Sequence, residues 1–312
     1  MAATRRQFLK SAAALTAAAA VAPALLADGA ARKPALEISL AEWSFHKALF
    51  SQQMSNLDFP GAARQKFGIG AVEYVNQFFK DKAKDQAYLS QLLQRGRDHG
   101  VTNHLIMIDG EGDLGAPDAA ERTKAVENHH KWVDAAHTLG CRTIRVNAFG
   151  QGSADEVQRA AAEGLSRLGE YAQQAGLNVI VENHGGLTSN GEWLLATIQK
   201  VNRRNVGILP DFGNFCLRRA TGDLYQGKCL EEYDKYKAVQ AWLPVAKGVS
   251  AKTLDFDAAG NCVETDYDRM FKIIKASGFQ GYVGIEYEGE KLSEEEGIRK
   301  TKALLDRVLK AG

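Results

Sequence analysis

Several things are scarce in this chain. Of its 312 residues four are cysteine, six proline and seven histidine. So few prolines exclude a proline-rich scaffold. Cys141, Cys216, Cys229 and Cys262 are too few for a dense disulfide framework. None stands in a C-x-x-C pair, so neither a redox dithiol nor a structural zinc site is indicated. Cys216 and Cys229 are close enough for a local bridge, but buried free thiols are the expectation. No excess of either charge is present: 39 Lys and Arg against 38 Asp and Glu leave a net charge of +1. Nucleic acid is therefore not an expected partner, because no basic stripe is available to hold phosphates. Long apolar runs are missing too. The one extended run, 12–26, is alanine-rich and below the roughly 20 strongly apolar residues of a spanning helix. No integral membrane segment is expected once that run is removed.

What is present is ordinary for a globular chain: 45% hydrophobic and 25% charged residues, which argues against disorder. The length suits one large domain or two modest ones. The N-terminus reads Thr4-Arg5-Arg6-Gln7-Phe8-Leu9-Lys10, then the apolar run, then small residues over 27–31. A cationic start, an apolar middle and small residues form an export signal, and the adjacent arginines with Phe8 and Leu9 specify the twin-arginine pathway. The expected organisation is a signal peptide over 1–31, cut near Ala31 or Ala27, and one domain over 32–312 in the periplasm. A retained N-terminal anchor is the alternative.

From residue 36 short β-rich runs alternate with longer helical patterns. The runs are 36–40, 71–75, 104–108, 143–147, 178–182, 206–210, 247–252 and 282–286. Amphipathic stretches between them include 86–99, 119–139, 154–175 and 192–201, with stop signals at Gly100, Gly140, Gly176 and Gly278. Eight such alternations predict parallel βαβ units closing into an α/β (β/α)8 TIM barrel, a single domain. An open doubly wound sheet would carry a Gly-rich turn after its first strand, and 36–45 contains no glycine. Residues 214–233 read as an irregular insertion over the catalytic face.

In such a barrel the chemistry sits where strands end. Glu42, Trp43, Ser44 and His46 follow the first run, Glu73 and Asn76 lie on and after the second, and Arg145 and Asn147 end the fourth. The fifth ends Glu182-Asn183-His184-Gly185-Gly186, the sixth Pro210-Asp211-Phe212-Gly213-Asn214, the seventh Ser250-Ala251-Lys252 and the eighth Glu286-Tyr287-Glu288-Gly289. Glu182, Asp211 and Glu286 would converge on the barrel axis, where three carboxylates repel unless a cation sits among them. Oxygen ligands favour Mg²⁺ or Mn²⁺, and a nearby imidazole would tilt the choice toward Mn²⁺, Co²⁺ or Zn²⁺. The alternative is that each acid caps a helix or pairs with Lys252 or Arg145.

The strand endings Val-Glu-Asn-His-Gly-Gly (181–186), Asp-Phe-Gly-Asn (211–214) and Ile-Glu-Tyr-Glu-Gly (285–289) resemble the xylose-isomerase-like TIM barrel superfamily, the sugar phosphate isomerases/epimerases, over about 36–309. The resemblance implies one divalent ion, Mn²⁺ or Mg²⁺ first and Co²⁺ or Zn²⁺ next, held by Glu182, Asp211, a seventh-strand residue and Glu286. It also implies Glu182 and Glu286 as the acid/base pair that moves a proton through a metal-stabilised enediolate. The family's His-x-Lys is here Ser250-Ala251-Lys252. Three arrangements accommodate the change: three carboxylates plus water with Ser250 lining the site, which is preferred; His184 swinging in as a ligand; or a lost metal site in a protein that only binds sugar.

The expected activity is isomerisation or epimerisation of an unphosphorylated sugar or keto-sugar. β-Elimination from a 3-keto-glycoside is the runner-up, and a non-catalytic periplasmic sugar binder comes third. A nuclease of the related abasic-site family is discarded, because few of its strand-end histidines have counterparts and the charge is neutral. His184, Lys252, Asn183, Trp43, His46, Glu73 and Asn147 are the expected substrate-binding residues. For His46 and His184 a structural role is an equal alternative, and for Lys252 pairing with Asp255 is the other option. Trp43 and Phe45 are read as a stacking wall, Tyr225, Tyr233 and Tyr236 as parts of a lid, and His129-His130 as helix surface. A carbohydrate is the expected small-molecule partner; self-association into a homo-oligomer is left open.

Overall fold

The computed structural model describes residues 36–310; the expected twin-arginine signal and its expected cleavage site lie outside them. The chain runs β1 (Glu37–Ala41), α1 (His46–Phe50), α2 (Phe59–Phe67), β2 (Ala71–Val75), α3 (Gln86–Asp98), β3 (Thr102–Met107), α4 (Ala119–Leu139), β4 (Thr143–Val146), α5 (Ala154–Gln174), β5 (Asn178–Glu182), α6 (Gly191–Val201) and β6 (Val206–Leu209). It continues with β7 (Cys216–Arg219), β8 (Cys229–Glu232), α7 (Lys235–Trp242), β9 (Val249–Thr253), α8 (Tyr267–Ser277), β10 (Tyr282–Tyr287) and α9 (Glu294–Lys310). Eight strands form one parallel sheet in the order β6-β5-β4-β3-β2-β1-β10-β9. Parallel bridges Ile208–Ala246 and Asp211–Ser250 join its two edges, so the sheet is a nearly closed (β/α)8 barrel and β9 is its seventh strand. No helix among the described residues is long and apolar enough to cross a membrane.

Each barrel strand is buried on both faces, which is why the runs read as near-continuous apolar segments. Within them the side chains still alternate with period two. Val179 and Val181, Val283 and Ile285, and Val249 and Ala251 pack outward under the helices in the main core. Their neighbours point inward: Ala41, Val75, Leu105, Met107, Ile180 and Leu209 form a small apolar plug. The polar inward residues Glu182, Ser250, Lys252 and Glu286 follow from the same parity. Helix ends obey local chemistry. Asp118 accepts hydrogen bonds from Ala120 and Glu121 at the start of α4, Ser153 and Glu156 form a capping box on α5, and Gly140 closes α4 at φ +75°.

Two expectations are corrected. Residues 214–233 are not irregular throughout: β7 and β8 pair antiparallel there. Cys216 and Cys229 are joined in a disulfide across that hairpin, while Cys141 and Cys262 are free and buried. The bridge was hard to read because its register depends on a hairpin made of exposed, charge-rich residues with no apolar alternation. Apart from its first residues the hairpin buries little, so covalent closure substitutes for a core. Reduction, or Cys216→Ser with Cys229→Ser, is therefore expected to speed tryptic cleavage at Arg218, Arg219 and Lys228 by roughly tenfold or more while the barrel stays resistant. Mass spectrometry of timed digests reads this, and equal cleavage rates would refute the brace.

Candidate active site and acidic centre

A cavity of about 590 Å³ opens at the carboxyl ends of the strands. Residues at or just after every barrel strand line it, among them Trp43, Gln77, Asp109, Asn147, His184, Asn214, Lys252 and Glu286. At the cavity's base Glu286, which lines it, and the buried Glu182 and Asp211 each bring a carboxylate oxygen within 4.8 Å of the others, and they form the one such group of potential metal ligands among the described residues. Glu182 and Asp211 are fully buried.

Local structure holds each acid. An Asx turn after β6 aims Asp211: its Oδ1 accepts the Gly213 and Asn214 N–H groups at 2.9 Å each. Ser250 Oγ lies 2.6 Å from Asp211 Oδ2 and 2.9 Å from Glu286 Oε2. One hydroxyl proton serves one carboxylate, so the second contact needs a proton on Glu286 or a cation nearby. Glu182 Oε1 accepts from Asn214 Nδ2 at 3.1 Å. Its Oε2 lies 2.8 Å from Arg145 Nε, yet the N–H is not aimed at it and the oxygen has no hydrogen bond. Lys252 Nζ stands 3.3 Å from Glu286 Oε1, 3.1 Å from Glu288 Oε2 and 3.9 Å from Asp211 Oδ2.

Charge explains the protonation. Burial pushes Glu182 up to about 7, with Arg145 pulling it down and Glu286 pushing it up. Burial likewise lifts Glu286 to about 7 and Asp211 to about 6, each against Lys252. A buried, hydrogen-bond-free carboxylate oxygen and two neighbouring acids that hold protons near neutrality are what a divalent ion would satisfy. The donors are all hard oxygens, with the Ser250 hydroxyl beside them, so the residues fit such an ion.

A second network runs beside the centre. Arg145 Nη1 donates to Asp109 Oδ1 at 2.7 Å, Asn147 Nδ2 donates to the same oxygen at 2.7 Å, and Asn147 Oδ1 lies 3.0 Å from His184 Nδ1. An amide oxygen only accepts, so His184 carries its proton on Nδ1 and offers Nε2 as an acceptor. Burial, with Arg145 and Lys252 adding to it, takes the ring down to about 3, so it is neutral. Phe149 and Tyr225 flank it.

Of the expected binding residues, Trp43, Asn147, His184 and Lys252 line the cavity, whereas Glu73, Asn183 and His46 do not. Asn183 is fully buried and stitches β5 to the turn after β6, donating to the carbonyls of Asp211 and Asn214 and accepting from the Asp211 N–H. His46 stacks on Trp43 and contacts its carbonyl. His184 is not a fourth ligand, because the chain turns away at Gly185 (φ +99°) and its ring is held by Asn147. Lys252 pairs with Glu286 and Glu288; Asp255 pairs with Lys291. Phe45 packs in the core against Phe59 and Phe67 rather than forming a wall. Tyr225 reaches the cavity, but Tyr233 and Tyr236 sit against α6 and α8. His129 is buried and faces the cavity, contrary to the surface expectation. Asp109, Asn214 and His129 were missed as site residues. Asp109 stands immediately after an apolar run, at the same kind of strand end that marked Glu182 and Glu286.

Glu73 points into the barrel lower down. Its Oε1 accepts from Ser39 Oγ at 2.5 Å, its Oε2 has no hydrogen-bond partner among the described residues, and a Cβ on Gly284 would lie 2.7 Å from its carboxylate. Burial lifts it to about 7, against the Ser39 hydrogen bond and with the help of Glu286 and Glu182. Unfolded, it titrates near 4.5. Between those two pH values the folded chain keeps a proton that the unfolded chain has released. Stability therefore falls as pH rises through that window and levels off above 7, by roughly 3 kcal/mol for this group. Glu73→Gln is expected to gain roughly 2–3 kcal/mol over the wild type at pH 8 and much less at pH 5. Urea unfolding at both pH values tests this, and parallel profiles for the two proteins would count against it.

Comparisons place this fold among known proteins. Several solved structures share the fold at low identity. An L-ribulose 3-epimerase matches with a TM-score of 0.65 at 16% identity, over 88% of this chain and 94% of that one. The IolI protein with a bound zinc atom matches at 0.66 and 18%, over 88% and 98%. The 3-keto-D-glucoside 4-epimerase of E. coli matches at 0.66 and 15%, over 87% and 99%. No curated protein sequence matches. The family model described as "Xylose isomerase-like TIM barrel" matches residues 62–308, and the chain belongs to that family.

Proposed function

We propose that the protein is a divalent-metal-dependent isomerase or epimerase of an unphosphorylated sugar or keto-sugar. The observation that carries the reading is the convergence of Glu182, Asp211 and Glu286 at the carboxyl ends of the strands. The sugar epimerases among the structures of like fold support the substrate class. Glu182, Asp211 and Glu286 would hold the ion, with the Ser250 hydroxyl as a further hard neighbour; Mn²⁺ or Mg²⁺ suits these donors better than Co²⁺ or Zn²⁺. When bound, the ion draws electron density from a substrate carbonyl and its neighbouring hydroxyl and so acidifies the C–H beside them.

The chain's own residues do the rest. Glu286 reaches the cavity wall, where its carboxylate is placed to remove a proton from carbon. Glu182, anchored by Arg145 and Asn214, delivers a proton to the other face. Lys252 faces the negative charge that develops on the substrate oxygen, and His184 Nε2 accepts from a substrate hydroxyl. β-Elimination from a 3-keto-glycoside begins with the same proton removal and is distinguished by release of the second group.

Mature protein loaded with Mn²⁺ is expected to hold about one ion per chain and to wash deuterium from D₂O into keto-sugars. Glu182→Gln loses the ion, and Glu286→Gln slows the exchange by roughly 100-fold or more. A wild type that takes up no ion and exchanges no proton would sink the reading and leave sugar binding without chemistry. Export is part of the proposal and rests on Arg5 and Arg6. Arg5→Lys with Arg6→Lys should hold the chain in the cytoplasm on cell fractionation, and unchanged periplasmic recovery would refute the pathway.

A further inference from the structure

The cavity extends well past the acidic centre. At a liquid-water share of about 30 Å³ each it would hold roughly 20 waters, more than one sugar ring fills. The centre sits over β5, β6, β9 and β10, and the far end lies over the loop after β3, which is the strand opposite β9 in an eight-stranded ring. There the chain turns through Gly110 and Gly112 at φ +73° and +97°, and a Cβ on Gly112 would lie 3.1 Å from the Ala125 side chain. The loop is thus pressed onto α4, where Asn128 Nδ2 also donates to the Glu111 carbonyl.

This packing brings two unassigned groups to the cavity wall. His129, 3% exposed, lies with Nδ1 2.7 Å from the Ala125 carbonyl. A carbonyl only accepts, so Nδ1 carries the proton and Nε2, which has no hydrogen-bond partner among the described residues, is an acceptor on a ring that lines the cavity. Burial keeps the ring neutral by lowering its basicity. Asp113 lines the same end, and its carboxylate has no hydrogen-bond or ion-pair partner among the described residues. Glu111, between them in the loop, is already used: it accepts from Trp132 Nε1 and Lys131 Nζ. Phe149 and Tyr225 supply aromatic surface on the way to His184.

Two acceptors without partners beside aromatic rings form a site for a neutral group rich in hydroxyl donors. An anion would be repelled by Asp113, and an apolar group would leave both acceptors unpaired. We infer that the loop after β3 and His129 form a second subsite that takes a second sugar or polyol unit, so that the ligand is a glycoside rather than a lone monosaccharide. This rests on the proposed sugar chemistry at Glu182 and Glu286 and adds the substrate's size and far-end chemistry.

Calorimetry with the full exported chain tests it on non-reducing probes that cannot turn over: methyl α- and β-glucosides against trehalose and methyl β-cellobioside. At least one two-ring probe should bind roughly tenfold or more tighter than the single rings. His129→Leu and Asp113→Asn should each cut that ratio roughly 3- to 10-fold, with His129→Gln, which keeps an acceptor, cutting it less. Equal affinity for one and two rings, no binding of any probe, or a ratio indifferent to both substitutions overturns the subsite. Failure of the proposed chemistry looks different: the two-ring preference would stand while keto-sugars take up no deuterium.

Discussion

The structure depends on how buried negative charge is held at the barrel mouth. Glu73, Asp109, Glu182, Asp211, Glu286 and Glu288 lie in or beside one network whose buried cations are Arg145 and Lys252. Two cations cannot neutralise six acids in a medium where an unpaired charge costs several kcal/mol. Protons make up part of the difference, and the lifted carboxyls of Glu73, Glu182 and Glu286 are their places. The divalent ion proposed for the centre would make up the rest more favourably, because it would compensate three carboxylates at once.

The barrel was legible because its strands are short, apolar and regularly spaced by helices with ordinary caps. Observed helices α3 to α6 start and stop within a residue or so of the expected limits, since Asp118, Ser153 and Gly140 act locally. The acidic centre was legible for a related reason. A polar residue that ends an apolar run in a parallel barrel faces inward at the level where the ring opens, so Glu182, Asp211 and Glu286 could be grouped before any coordinate was known.

Depth was the part that could not be read. Glu73 has the inward parity of Glu182, but it sits in the middle of β2 and meets Ser39 and Gly284 instead of the cavity. Asn183 follows an inward residue and is spent on the backbone of the next strand end. His129 belongs to a helix, and its ring lines the cavity beside the Gly110–Asp113 turn that packs on α4. None of these depends on local pattern. Each is set by which neighbour arrives from another part of the chain, as is the Cys216–Cys229 bridge.

Ser250 sits between two acids of the centre. A hydroxyl there reaches both Asp211 and Glu286 and keeps the two acids at a fixed separation. Lys252, two residues on and on the same face, stands 3.3 Å from Glu286 and would compete with a divalent ion for that carboxylate. It has a second partner, however: Glu288 at the cavity wall, whose carboxylate is held below the usual range by Lys252, against the effect of burial, and is steadied by Trp43. An ammonium with two acids to choose between can give up one without being left unpaired. The arrangement therefore leaves Glu286 available to an ion or to a proton from substrate. It also ties the charge on the cavity wall, through Lys252 and Glu288, to the state of the centre beneath it.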